Sequence, residues 1–304
     1  MPEEGPRERR DGAGELIRGM HEIAVGSLRF RARSAGPADA PVVLLLHGFP
    51  QTSLCWSAQL TAVADAGHRA VAVDQRGYSP GARPDDPAAY ALPDLVGDVL
   101  GMIDALGVDA VDLVGHDFGG SVAWAVAGHH PDRVRTLTVA STPHPLAFVR
   151  AYQATTGSSG QNERSGYMRA FRESPRGELE ARLLADDAAG LQLVFAGLDD
   201  ESIAAHVEAL SDPGALVAAV DWYRSMSAKA SAAVPPCAVP TLYVWSDADP
   251  AIGRAAAAAT ERHVTGPYRF VVLEGVGHWI PELAADRFTK LLLEHIDSQS
   301  TRKD

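Results

Sequence analysis

The stretch Leu113-Val-Gly-His-Asp117-Phe-Gly-Gly120 constrains what this chain can fold into more than any other. The apolar run Ala110 to Val114 reads as a strand, and Ser121 to Gly128 reads as a helix. Gly115 stands two residues before Asp117, and Gly119 and Gly120 follow it closely. A small residue on either side of a polar one, between strand and helix, is the pattern of a nucleophile elbow. The turn is tight, so the flanking side chains must be small, and its central residue is exposed at the end of the sheet. Serine is the usual occupant. Here the position holds aspartate, and that substitution decides the chemistry.

The rest of the chain supplies the sheet that an elbow requires. Residues 1 to about 20 are charged and rich in Gly and Pro, and are expected to form a loose tail. His21 to Ser34 alternates weakly around Gly26-Ser27, which predicts a hairpin. Pro41 to Leu46 is a continuous apolar run, as expected of a parallel strand buried on both faces. It ends in His47-Gly-Phe-Pro50, after which Thr52 or Ser53 can cap a helix running to about Ala66. Arg69 to Val73 and Val134 to Ala140 read as further strands, with a helix from Pro93 to Leu106 between them. From about Leu146 to Ala233 the pattern turns helical and polar, interrupted by Gly157-Ser-Ser-Gly160. After Pro235-Pro236 the strand and helix rhythm resumes: strands Thr241 to Trp245 and Tyr268 to Leu273, helices Ala251 to Val264 and Ala284 to Ile296.

Strands alternating with helices predict an α/β fold, a mostly parallel sheet with helices on both faces. Its core comprises residues 21–145 and 234–304, and residues 146–233 form a helical cap over the strands' carboxyl ends, where open α/β sheets place their sites. Composition narrows the partners. The 304 residues carry 27 Lys+Arg against 39 Asp+Glu, a net charge of −12, which argues against nucleic acid and anionic membrane surfaces. The two cysteines, Cys55 and Cys237, cannot build a disulfide framework. No run is long enough to span a bilayer, and no apolar segment follows the charged N-terminus, so a cytoplasmic protein is expected. A homodimer is left open.

An elbow nucleophile needs an acid and then a histidine later in the chain. Ser246-Asp-Ala-Asp249-Pro250 and Gly275-Val-Gly-His278-Trp279 follow the two last strands in that order. His278 is the histidine. The acid is Asp247 or Asp249, and Asp249 is favoured because it lies deeper in the loop. Asp247-x-Asp249 lacks the glycine and glutamate of a calcium loop, and His116, His129, His130 and His144 have no metal-ligand spacing. No metal and no cofactor are expected.

A carboxylate is ionised at neutral pH, with an ordinary pKa of about 3.9, and attacks without a base. Its natural target is an sp3 carbon bearing a leaving group, and the product is an ester on Asp117. His278 then activates water to hydrolyse that ester. The oxyanion needs backbone donors, for which Phe118 N–H and Phe49 N–H are the candidates. An epoxide oxygen requires acids in the cap, and Tyr152, Tyr167 and Tyr223 are available there. A halide requires N–H donors instead, and Phe118, next to the nucleophile, has none. Further candidates to line the pocket are His47, Pro50, His116, Tyr152 and Trp279.

Taken together, His47-Gly-Phe-Pro50, Asp74-Gln-Arg-Gly-Tyr-Ser79, Gly115-His-Asp-Phe-Gly-Gly120, Asp221-Trp-Tyr-Arg224 and Gly275-Val-Gly-His278 resemble the α/β-hydrolase-fold epoxide hydrolases, over nearly the whole chain after His21. The resemblance implies Asp117 as nucleophile, Asp249 as acid, His278 as base, an oxyanion hole at Phe49 and Phe118, and a cis bond before Pro50. It implies Tyr223 as one ring-opening tyrosine and Tyr167 as the other, with Tyr152 as competitor. Many relatives have Trp where this chain has Phe118. Fluoroacetate-type dehalogenases place Arg directly after the Asp, whereas the first Arg after Asp117 here is Arg133. The expected reaction is therefore epoxide plus water to a vicinal diol. The alternatives are a haloalkane-type dehalogenase and a non-catalytic binding protein on the same fold.

Overall fold

The computed structural model describes residues 16–154 and 160–300. Its eight strands form one sheet in the order β1-β2-β4-β3-β5-β6-β7-β8. They are β1 (Leu16–Val25), β2 (Leu28–Pro37), β3 (Val42–Leu46), β4 (Arg69–Val73), β5 (Val111–His116), β6 (Val134–Ala140), β7 (Thr241–Ser246) and β8 (Tyr268–Leu273). The first two are an antiparallel hairpin laid antiparallel on β4, and all later neighbours are parallel. The hairpin extends back to Leu16, which pairs with Pro37, so residues 16–20 are strand rather than tail. The remainder of the expected tail, residues 1–15, lies outside the described residues, as does most of the Gly157 to Gly160 stretch.

The central strand β3 shows why the apolar runs are continuous. Val42, Leu44 and Leu46 enter one hydrophobic core, and Val43 and Leu45 enter the other, on the opposite face of the sheet. All five are fully buried, and each contributes about 1.5–3 kcal/mol of burial energy.

Helices α1 (Ser57–Asp65), α2 (Leu92–Ala105) and α3 (Phe118–His129) cover the sheet. The elbow helix begins at Phe118, earlier than Ser121, because Gly119 and Gly120 belong to its first turn. A Cβ on Gly119 would stand 2.2 Å from Leu46 O and 2.4 Å from His47 O. The glycines thus let the helix approach the end of β3.

Between β6 and β7 the chain builds the cap: α4 (Pro145–Gln153), α5 (Gln161–Arg164), α6 (Tyr167–Glu173), α7 (Glu178–Val194), α8 (Asp200–Ser211), α9 (Ala215–Arg224) and α10 (Ala228–Ala232). After β7, α11 (Arg254–Ala259) starts three residues later than the helical pattern suggests. Ala251 and Ile252 give their N–H groups to Asp249 Oδ1, and Gly253 N–H goes to Gln161 Oε1, which keeps them out of the helix. The short α12 (Ile280–Leu283) and the long α13 (Ala285–Ser300) close the chain. Among the described residues no single helix is long and apolar enough to cross a membrane.

Candidate active site

Asp117 sits between β5 and α3 with φ 51° and ψ −122°, a conformation that non-glycine residues rarely adopt and that a strained elbow imposes. Close packing holds it there. A Cβ on Gly48 would stand 2.2 Å from Asp117 Cβ, and one on Gly115 would meet Gly119 O at 2.4 Å. The main-chain oxygen of Asp117 accepts the Thr142 hydroxyl at 2.8 Å.

The two carboxylate oxygens of Asp117 have different surroundings. Oδ1 accepts Phe49 N–H at 2.9 Å, and Phe118 N–H also bonds the carboxylate. Oδ2 lies 3.4 Å from His278 Nε2. Phe49 is placed by the loop after β3, and the bond from Phe49 to Pro50 is cis. Burial pushes the Asp117 carboxyl up, but the bond and charge of His278 and the Phe118 N–H outweigh it and hold the group below its ordinary value.

His278 lies in the loop after β8. Its Nδ1 is 2.9 Å from Asp249 Oδ2. Asp249 is fully used, since its Oδ1 accepts Ala251 N–H at 2.8 Å and Ile252 N–H at 3.0 Å. Asp247 instead accepts Gly275 N–H at 2.8 Å and braces the turn that carries the histidine. Burial disfavours the imidazolium, but the attraction of Asp249 and the bonds to Asp117 and Asp249 prevail, and the His278 pKa is pushed up to about 10.

Above Asp117 the cap contributes Tyr167 at the start of α6 and Tyr223 in α9. Their hydroxyls share a hydrogen bond, and their ring centroids are 6.2 Å apart. Burial and the negative field of Asp117 raise both phenols, so both stay protonated as donors. The motif around Tyr223 explains its placement. Asp221 is buried and paired with Arg176 at 3.0 Å and Arg224 at 2.9 Å, and Trp222 Nε1 donates to Arg76 O at 2.8 Å. Those anchors turn Tyr223 against Phe49 and Phe118, at ring distances of 5.0 and 4.7 Å.

A cavity of about 520 Å³ opens over these groups, lined by Asp117, His278, Tyr167, Tyr223, Phe49 and Trp279 together with cap and loop residues. Several candidates for lining it stand elsewhere. Tyr152 stacks on Phe148 near the end of α4 and faces a separate groove with Arg169 and Arg172, because its helix presents that side outward. It is not within the constellation. His47 is fully buried below the loop. Gln75 N–H donates to its Nε2 at 3.1 Å, and its Nδ1 lies 2.9 Å from Gly48 O, so it carries the proton on Nδ1. Burial lowers it to about 4, leaving it neutral. Pro50 is buried and does not line the cavity. His116 is fully buried as well. Its Nε2 lies 3.0 Å from His278 O, which also accepts the Ser141 hydroxyl at 2.9 Å. It supports the histidine loop from below instead of facing the cavity.

Sequence reasoning missed Arg164, Phe171, Leu193 and Val194, which complete the cavity wall. No motif marks them, and their positions depend on how the cap helices dock. Among the described residues no group of three or more His, Cys, Asp or Glu could hold a metal ion. The arrangement can present an ionised carboxylate to a carbon electrophile, donate protons from the opposite side, and activate water at the histidine.

Residues 41–285 match the family model for the alpha/beta hydrolase fold. Epoxide hydrolase A of Mycobacterium tuberculosis is 30% identical over 92% of this chain and 98% of its own length. Epoxide hydrolase 3 of Mus musculus is 32% identical over 86% of this chain and 71% of its own length. A solved epoxide hydrolase from hot-environment metagenomes superimposes with a TM-score of 0.81 at 26% identity, covering 92% of this chain and 99% of that one.

Proposed function

The chain belongs to the α/β-hydrolase fold family, and from that premise we propose that it hydrolyses epoxides to vicinal diols through an ester on Asp117. The observation that carries this reading is the carboxylate of Asp117 facing the hydrogen-bonded pair Tyr167 and Tyr223 across one cavity.

Asp117 Oδ2, the oxygen other than the one that accepts Phe49 N–H, attacks an epoxide carbon. The carbon–oxygen bond of the ring breaks, and the released alkoxide takes a proton from the tyrosine pair, which is replenished from solvent. Esterification removes one of the two negative charges that hold the proton on His278, so the ring gives it up when a base is needed. Neutral His278 takes a proton from water, and the hydroxide adds to the ester carbon. Oδ1 becomes the oxyanion, already placed on Phe49 N–H. Collapse expels the diol alkoxide, which takes the acid proton of Asp117 and regenerates the carboxylate.

The halide alternative finds less support. Trp124, Trp222 and Trp245 spend their indole N–H on backbone carbonyls and Trp56 packs on Phe288 in the other core, so of the five tryptophans Trp279 alone stands on the cavity wall, where a halide cage calls for more than one such donor. The free, buried Cys55 and Cys237 support a cytoplasmic setting.

A single turnover in ¹⁸O-water with enzyme in excess tests the mechanism. Label is expected in the Asp117 carboxylate, because the diol carries away the oxygen that attacked. Label found in the diol and never in Asp117 would mean direct attack by water.

A further inference from the structure

The cavity holds a cation that the ring-opening chemistry does not use. Arg164, the last residue of α5, lines the cavity together with Asp117, His278, Phe171, Leu193 and Trp279. It is an exposed residue at the solvent side of a wall that is otherwise mainly apolar. Its Nη1 donates to Asp249 O at 3.0 Å and to Pro250 O at 3.4 Å. The helix that carries it is anchored. Gln161 Nε2 donates to Ala251 O at 2.7 Å, and Gln161 Oε1 accepts Gly253 N–H at 2.9 Å. The guanidinium is thus held against the acid loop by one end, while its other N–H groups remain available.

Three other cap arginines have carboxylate partners; among the described residues Arg150, Arg172 and Arg182 lack one, as Arg164 does, but do not line this cavity. Arg176 pairs with Asp221, Arg224 with Glu180 and Asp221, and Arg169 with Glu173. Among the described residues Arg164 has no carboxylate within ion-pair distance. In a chain of net charge −12, a guanidinium kept free of internal carboxylates at the entrance of a reactive cavity calls for an anion from outside. A planar guanidinium fork fits a carboxylate in particular. Such a cation also offsets the repulsion that the carboxylates of Asp117 and Asp249 would exert on a negatively charged substrate.

We propose that Arg164 is a specificity residue that selects epoxides bearing an anionic group, a carboxylate above all, bound at the cavity entrance while the epoxide ring lies at Asp117. This rests on the reading of the chain as an epoxide hydrolase. The apolar wall of Phe171, Leu193 and Trp279 receives the carbon skeleton between the two ends.

The test uses two epoxides that are identical except for a terminal carboxylate in one and a primary amide in the other. The readout is the ratio of their kcat/KM values in the wild type, Arg164→Lys and Arg164→Met. The wild type is expected to favour the carboxylate. Arg164→Met is expected to lower the ratio by about tenfold or more, mainly through KM for the acid, since the anion is held alike in the ground and transition states. Arg164→Lys keeps the charge and should retain most of the preference, and added salt should shrink it in the wild type. An equal loss on both substrates in Arg164→Met would make Arg164 only a prop for the acid loop and would overturn the proposal. So would a wild type that opens the amide with no preference for the acid, a result that leaves the epoxide hydrolase reading intact. If the wild type opens neither epoxide, that reading fails and this inference falls with it.

Discussion

His278 meets Asp249 through Nδ1 at 2.9 Å, and its other ring nitrogen reaches the Asp117 carboxylate at 3.4 Å. The imidazole therefore bridges the two acids, one of which becomes an ester in the proposed cycle. Replacing His278 by Gln should leave ester formation largely intact and stop its hydrolysis. Turnover should fall by roughly 10²–10⁴-fold, the usual worth of a general base. Intact-mass spectrometry should then find enzyme carrying one substrate on Asp117. Loss of turnover without any adduct would contradict the two-step scheme.

The same bridge sets a pH dependence of stability. The folded state raises the His278 pKa from 6.5 to about 10. A group whose pKa is raised on folding contributes its stabilisation in full below the unfolded value and loses it as pH rises through the folded one. The stabilisation is thus complete below pH 6.5 and fades toward pH 10. Asp117→Asn removes one of the two carboxylates, so the stabilisation should be smaller and its loss, which starts from the same unfolded value, should be complete at lower pH. Melting temperatures across the alkaline range will check this, and superimposable profiles for the two proteins would refute it.

The tyrosine pair should divide the ring-opening step. Tyr167→Phe and Tyr223→Phe should each slow ester formation by roughly 10²-fold, and the double variant more severely. Tyr152→Phe, on a helix face away from the cavity, should stay within about twofold of the wild type. Stopped-flow single turnovers separate the effects. A Tyr152→Phe defect as large as that of Tyr167→Phe would reverse the assignment of the two.

Two glycines should respond to alanine in opposite directions. Gly119→Ala forces a Cβ to within 2.2 Å of Leu46 O, and backbone on both sides must shift, at a cost of about 2 kcal/mol or more. Gly97 is exposed in the interior of α2, with nothing within 4 Å of a built Cβ. Gly97→Ala should stabilise by about 0.5–1 kcal/mol through helix propensity. Urea denaturation measures both, and a stabilised Gly119→Ala protein would show that the elbow tolerates a wider approach to β3.

Much of the fold is legible in the residues alone. Strands buried on both faces are mostly apolar, so β3, β4 and β7 announce themselves as near-continuous runs, while β6 mixes Arg135, Thr136 and Thr138 among its apolar residues. Element starts are less legible where side chains compete for backbone N–H groups. Ala251 to Gly253 have helix-compatible sequence, yet Asp249 and Gln161 take their N–H groups. Leu16 to Met20 look like tail because only pairing with the partner strand makes them β structure.

The sequence by itself determined the elbow and its order of partners, since a tight strand-to-helix turn with Asp117 at its centre leaves a local signature in Gly115, Gly119 and Gly120. It also named His278 and narrowed the acid to Asp247 or Asp249. Only the tertiary structure decided between those two, because they lie two residues apart and differ in which reaches His278 and which reaches Gly275. It alone set Tyr167 on the cavity wall and Tyr152 in a separate groove, and brought Arg164 to the cavity. Cap helices are amphipathic in many registers, and which side chain faces Asp117 depends on their docking over the sheet, a long-range property that no local pattern records.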